Sequence, residues 1–168
     1  VCIAALTVLA LFAPSVLIKS TRAISSNVVI GEFRTRGPNG AGDEFIELYN
    51  LSNVAVDIGG WKIKGSNSSG SSTSTRVTIT TGTILNPGCH FLATNSDTNG
   101  YSGSATGDQT YSTGITDDGG IAITLSDGTT IIDQVGMSSG SAYKEGTVIT
   151  PTMSSNLNKS FERKIGGG

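Results

Sequence analysis

The sequence predicts an all-β domain of the sandwich or barrel kind, and three observations carry that prediction. Beyond residue 27 the apolar residues fall in short clusters of period two, rich in Val, Ile and aromatic residues. Gly, Asn, Asp and Pro turn residues separate these clusters. No stretch beyond that point keeps a 3.6-residue period, and the Ala/Glu/Lys/Leu-rich repeats of helical bundles are absent. At 168 residues the chain has the length of one domain.

The strands follow in order. Val28–Phe33 is the first, and Arg34–Asp43 is a loop around Gly37-Pro38-Asn39-Gly40. Glu44–Asn50 alternates most clearly, with Glu44, Ile46 and Leu48 on one face and Phe45, Glu47 and Tyr49 on the other. If Ile46 and Leu48 face the core, Glu44 sits at its rim and Glu47 faces water. Val54–Gly60 leads into a strand at Trp61–Lys64, and the Ser/Gly/Asn run of Gly65–Thr73 reads as a hairpin tip.

Arg76–Thr80 and Cys89–Thr94 are strands, with turn chemistry at Asn86-Pro87-Gly88 between them. Asn95–Thr116 is a long polar connection. Ile121–Leu125 and Thr130–Val135 flank Ser126-Asp127-Gly128, where Asp-Gly signals a hairpin. Ser160–Lys164 reads as a last edge strand. Ile30, Ile46, Leu48, Trp61, Ile63, Ile79, Phe91, Ile123, Leu125 and Ile132 are the expected core, with Trp61 filling the space between two sheets.

The chain opens differently. Val1–Ile18 is almost wholly apolar and carries no charge. Its densest part, Ile3–Ala13, has the length of a signal-peptide core, and Thr21 and Ala23 form a small-residue cleavage site. Residues 1–23 are therefore expected to be a signal peptide. The alternative is a retained anchor, short for a span but favoured by Lys19 and Arg22 on its far side. Cleavage would leave Cys89 as the sole thiol, so the mature core has no internal disulfide. Residues 24–165 are the expected domain, and 166–168 the start of a linker to a further part of the protein.

Composition removes several functions. The net charge is −2 and no basic patch announces nucleic acid. Two Cys and one His cannot build a disulfide framework or a Cys/His zinc site. Cys89 and His90 are adjacent on a strand, so their side chains diverge, and no Asn or Asp is placed to orient the imidazole. Neither G-x-S-x-G nor a phosphate-binding glycine loop occurs. Glu44 and Glu47 point to opposite faces and make no acid–base pair. They are expected to face water or to pair with Arg34, Arg36 or Lys62, and Glu32 on the neighbouring strand can meet one of them.

One stretch has the look of a ligand loop. Asn95-Ser96-Asp97-Thr98-Asn99-Gly100 copies the first half of a calcium loop, with oxygen donors at alternate positions and a glycine turn. Asn95, Asp97 and Asn99 are the candidate metal ligands and calcium the candidate ion; no other cofactor is expected. Position one is Asn rather than Asp, and Thr106 stands where the bidentate acid belongs. Carbonyls, Asp108, Asp117 or Asp118 would have to replace it.

Four stretches in order resemble the lamin tail domain family in its bacterial secreted form. They are Val29-Ile30-Gly31-Glu32, Asp43–Asn50, Asp57-Ile58-Gly59-Gly60-Trp61-Lys62-Ile63 and Leu85-Asn86-Pro87-Gly88. Ile123–Thr129 followed by Asp133 completes the order, and Ser160–Lys164 resembles the Ser-x-Glu-Arg segment of bacterial members. The resemblance implies an immunoglobulin-like antiparallel β-sandwich. It also implies a non-catalytic role, binding or tethering, in an exported protein.

The expectation is an extracellular module, secreted or bound to the cell envelope, whose partner is an unknown protein or envelope ligand. It would touch a membrane only through an uncleaved N-terminal segment. The alternative is a calcium-dependent accessory domain of a larger secreted hydrolase, a nuclease or phosphoesterase.

Overall fold

A computed structural model describes residues 28–164, so the apolar segment Val1–Ile18 and the last four residues lie outside the described part. The described residues form eleven strands and no helix. They are β1 (Val28–Arg34), β2 (Phe45–Asn50), β3 (Val56–Asp57), β4 (Lys62–Ser66), β5 (Thr73–Thr78), β6 (Ile84–Leu85), β7 (His90–Asn95), β8 (Gln109–Tyr111), β9 (Gly120–Thr124), β10 (Ile131–Gly136) and β11 (Phe161–Glu162).

Two sheets face each other, one in the order β11-β1-β2-β7-β8 and one in the order β10-β9-β4-β5. A short ribbon, β3-β6, closes one end. This is an immunoglobulin-like β-sandwich. Pairing is antiparallel throughout except between β7 and β8, which run parallel. The sheets touch along both sides, through β1 with β10 and β5 with β8.

Alternation decides which side chains enter the core. Ile46 and Leu48 of β2, Ile63 of β4 and Ile121 and Ile123 of β9 are completely buried. Val28, Ile30 and Phe33 of β1 join them, with Phe91 and Ala93 of β7. A bulge between Ile30 and Glu32 places Gly31 against β2, where an added Cβ would meet the Tyr49 Cβ at 3.2 Å. The bulge lets Ile30 and Phe33 both turn inward across three positions.

The expected core is found with two corrections. Trp61 is only half-buried, because β4 starts one residue later and Trp61 belongs to the turn before it. Its N–H donates to the Ile58 carbonyl at 3.1 Å and its own carbonyl accepts the Ile79 N–H at 2.8 Å. Ile58 and Ile79, both fully buried, fill the space between the sheets there. Leu125 is likewise half-buried, because it begins the turn after β9. The long polar connection also differs from expectation, since Gln109–Tyr111 adds a strand to the edge of the first sheet.

The strand directions give the sandwich two distinct ends. β1 begins at Val28 opposite Asn50, so the start of β1, the end of β2, the β3-β6 ribbon and the start of β7 share one end. The β9–β10 turn belongs there too, since a Cβ on Gly60 would stand 3.6 Å from Ser126. Loops 36–43, 96–107 and 112–119 gather at the other end.

Candidate binding surface

The loop end is built on two adjacent acids. Asp43 and Glu44 precede β2, are fully buried, and each ties down a different loop. Asp43 Oδ2 accepts the Asn39 N–H at 2.9 Å, and its Oδ1 accepts the Ser102 N–H at 2.9 Å. The same carboxylate pairs with the Arg34 guanidinium, whose Nε donates to the Asp43 carbonyl at 2.9 Å. Burial works to raise the Asp43 pKa, but the bonds from Asn39 and Ser102 and the Arg34 charge outweigh it and leave it below the ordinary value.

Glu44 points into the fold. Oε2 accepts from Asn95 Nδ2 at 3.0 Å and from the Tyr111 hydroxyl at 3.3 Å, and Oε1 accepts the Ile115 N–H at 2.8 Å. One carboxyl thus gathers the start of the long connection, β8 and the far side of the loop. Burial raises its pKa to about 7, against these three bonds and the Arg76 charge. Arg76 of β5 lies over Gly65, where a Cβ would stand 2.8 Å from the guanidinium. Its own pKa is lowered by burial, opposed by Glu44, Tyr111 and Tyr143.

The acids therefore correct the sequence reading twice. Glu44 is not at a solvated rim, and Glu44 and Glu47 have no ion pair with Arg34, Arg36 or Lys62 among the described residues. Arg34 ends β1 rather than starting a loop, and it pairs with Asp43. Arg36 pairs with Asp117 at 2.8 Å. Arg34 also lies over the rings of Phe45 and Tyr101, 5.3 and 5.6 Å from their centroids.

These contacts fuse three loops into one polar platform. Asn39 Nδ2 donates to the Gly100 carbonyl at 3.1 Å, and Gly42 packs so closely that a Cβ would lie 3.1 Å from the Asn99 carbonyl. Segment 151–160 joins through Arg36 to Asn156 Oδ1 at 3.2 Å and Arg34 to Asn158 Oδ1 at 3.0 Å. The outward parts are Pro38, Asn39, Asp97–Asn99, Ser102–Thr106 and Ser154–Asn158, all exposed.

The candidate calcium ligands lie in this platform. Asn95 is buried, with Nδ2 on Glu44 and Oδ1 accepting the Asp97 N–H at 2.8 Å. Asp97 and Asn99 are exposed. Asp97 Oδ1 accepts the Thr98 N–H at 2.8 Å, and the Asp97 and Asn95 carbonyls accept the N–H groups of Gly100 and Tyr101. Asp108 accepts the Leu92 N–H at 2.7 Å and Asp117 pairs with Arg36, so each already has a partner of its own. Among the described residues no three His, Cys, Asp or Glu side chains are grouped to hold an ion.

The opposite end has its own clamp, which the sequence reading missed. Asn50 is completely buried. Its Nδ2 donates to the carbonyls of Val54 and Leu85 at 2.9 and 2.8 Å, and its Oδ1 accepts from the Ser52 N–H and hydroxyl. On the outer face of the first sheet, Glu47 lies opposite Glu32, as expected, and faces water. It also supplies the carboxylate that orients His90, with Nδ1 and Oε1 2.6 Å apart. The orienting group is thus a Glu on the neighbouring strand, not the Asn or Asp considered from the sequence. Cys89 is exposed and its thiol is free.

The class that these features define is an immunoglobulin-like domain whose buried polar groups hold loops in place. A model of the Lamin Tail Domain family matches residues 21–139, and the chain belongs to that family. It is a family of non-catalytic domains of the binding or tethering type. No curated protein matches the chain.

Proposed function

We propose that this domain is a non-catalytic module of a bacterial exported protein that binds or tethers at the cell envelope through its loop end. The observation that carries the reading is the pair Asp43 and Glu44, which fix three exposed polar loops to one another. A loop set held from beneath loses little conformational freedom on binding, so weak polar contacts suffice for recognition. Polar, hydrogen-bonding loops suit a hydrated partner such as an envelope polymer or a polar protein face.

The experiment is co-sedimentation of the full chain, in mild detergent, with lipid-free peptidoglycan sacculi that keep their attached proteins. The wild type should sediment, and Asn39→Arg with Asn99→Arg should weaken sedimentation at least severalfold at unchanged melting temperature. Absence of sedimentation would overturn the envelope reading. Equal sedimentation of wild type and variant would overturn the role of the loop end.

A further inference from the structure

The other end of the sandwich is chemically unlike the platform. Five large aliphatic residues are well exposed among the described residues: Leu51, Val54, Ile84, Ile131 and Leu157. Isolated cases need no explanation, but clustering does. Four of the five lie at the Asn50 end. Leu51 and Val54 flank the Asn50 clamp, and the Asn50 amide joins their segment to Leu85, next to Ile84. Ile131 begins β10 beside the β9–β10 turn, and Leu157 is on the loop platform.

The chain reaches this end from an apolar segment. Val28 opens β1 opposite Asn50, and Val1–Ile18 precedes it by nine residues, 19–27. Nine residues reach at most ~30 Å. An uncharged run of eighteen residues, apolar except for Thr7 and Ser15, is near the length that enters a bilayer core. Charge does not select the partner here, because Asp57 and Asp127 accompany Lys62 and Lys64 at the same end.

We infer that the end carrying Leu51, Val54, Ile84 and Ile131 is seated against a lipid bilayer surface, with Val1–Ile18 retained as the anchor. The aliphatic side chains enter the interfacial layer, where burying each apolar group is favourable. The loop platform then points away from the lipid. This inference goes beyond the envelope-binding reading and does not depend on it.

The test uses the full chain in protein-free phosphatidylcholine vesicles with a quencher on a fraction of the headgroups. With Cys2→Ser, a fluorophore is attached to Cys89, which is exposed at this end and whose carbonyl accepts the Asn50 N–H at 3.1 Å. A second chain carries it at the opposite hairpin tip, through Ser69→Cys with Cys2→Ser and Cys89→Ser. Quenching at Cys89 should be severalfold stronger than at the tip. Leu51→Ser, Val54→Ser and Ile84→Ser together should abolish that difference while the chain stays on the vesicles. Equal quenching at both positions, an unaltered difference in the serine variant, or a chain that stays in solution would each overturn the inference. The last outcome is also what folding of Val1–Ile18 onto the patch would give.

Discussion

Glu44 shows how one carboxyl can organise a loop at an energetic cost. It gathers Asn95, Tyr111 and Ile115 from a connection more than fifty residues away, yet burial holds its pKa near 7 rather than the ordinary 4.5. The folded state therefore binds this proton more tightly than the unfolded chain. Its contribution is complete below pH ~4.5 and is lost as the pH rises through 7. Urea melts should find the wild type about 2–3 kcal/mol more stable at pH 5 than at pH 8 through this group. Asp133, also raised by burial, adds in the same direction, so Glu44→Gln should reduce the slope by the share that belongs to Glu44. A variant with the wild-type slope would assign the dependence elsewhere. The inward face of Glu44 was legible, since it alternates with Ile46 and Leu48. Its donors were not, because nothing local in Asn95 or Ile115 marks them as partners of β2.

At the scale of elements, β11 shows what holds a two-residue edge strand. Its ladder pairs Glu162 with Glu32 and Phe161 with Phe33, and the two phenyl rings lie 5.2 Å apart. Arg163 then crosses to the second sheet. Its Nε donates to the Ile30 carbonyl at 3.0 Å and its guanidinium meets the buried Asp133 at 2.8 Å. Asp133 also accepts the Ile30 N–H at 2.7 Å, so β1, β10 and β11 are fastened at one point. Arg163→Ala leaves that carboxylate buried without its cation and should cost about 2–3 kcal/mol, reduced from a fully buried case by the partial exposure of Arg163. Adding Asp133→Asn should recover part of the loss in the same denaturant melts. A double variant less stable than Arg163→Ala alone would refute this account. The long strands were legible from their period. β8 was not, because three residues carry no period, and Trp61 misled because its size suggests a core role while a turn placed it half outside.

For the molecule as a whole, the two ends are held by different chemistry, carboxylates at the loops and a carboxamide at the ribbon. This bears on calcium. A loop of the weak extracellular class binds at ~10⁻⁴–10⁻³ M, and filling it at tenfold excess would add ~1.4 kcal/mol. Asn95 is held inward by Glu44 and cannot turn outward without breaking the clamp. The melting temperature should therefore be the same in chelator and at about 10 mM calcium, for the wild type and for Asp97→Ala. A rise in the wild type that Asp97→Ala lacks would restore Asp97 and Asn99 as ligands. The spacing of Asn95, Asp97 and Asn99 was plain in the sequence. That the first of them belongs to a buried network is a property of the sheet, which brings β2 beside β7.

The Asn50 clamp has a consequence for where this chain can be made. Asn50-Leu51-Ser52 is an acceptor for N-linked sugar, and a eukaryotic secretory pathway glycosylates such triplets. In the folded domain the Asn50 nitrogen is inside, donating to Val54 and Leu85. A glycan on that nitrogen cannot be accommodated there. Every molecule glycosylated at Asn50 before folding would be unable to close this end of the sandwich, and yeast or mammalian secretion would divide the product into a folded fraction bare at Asn50 and a fraction modified there and retained as misfolded.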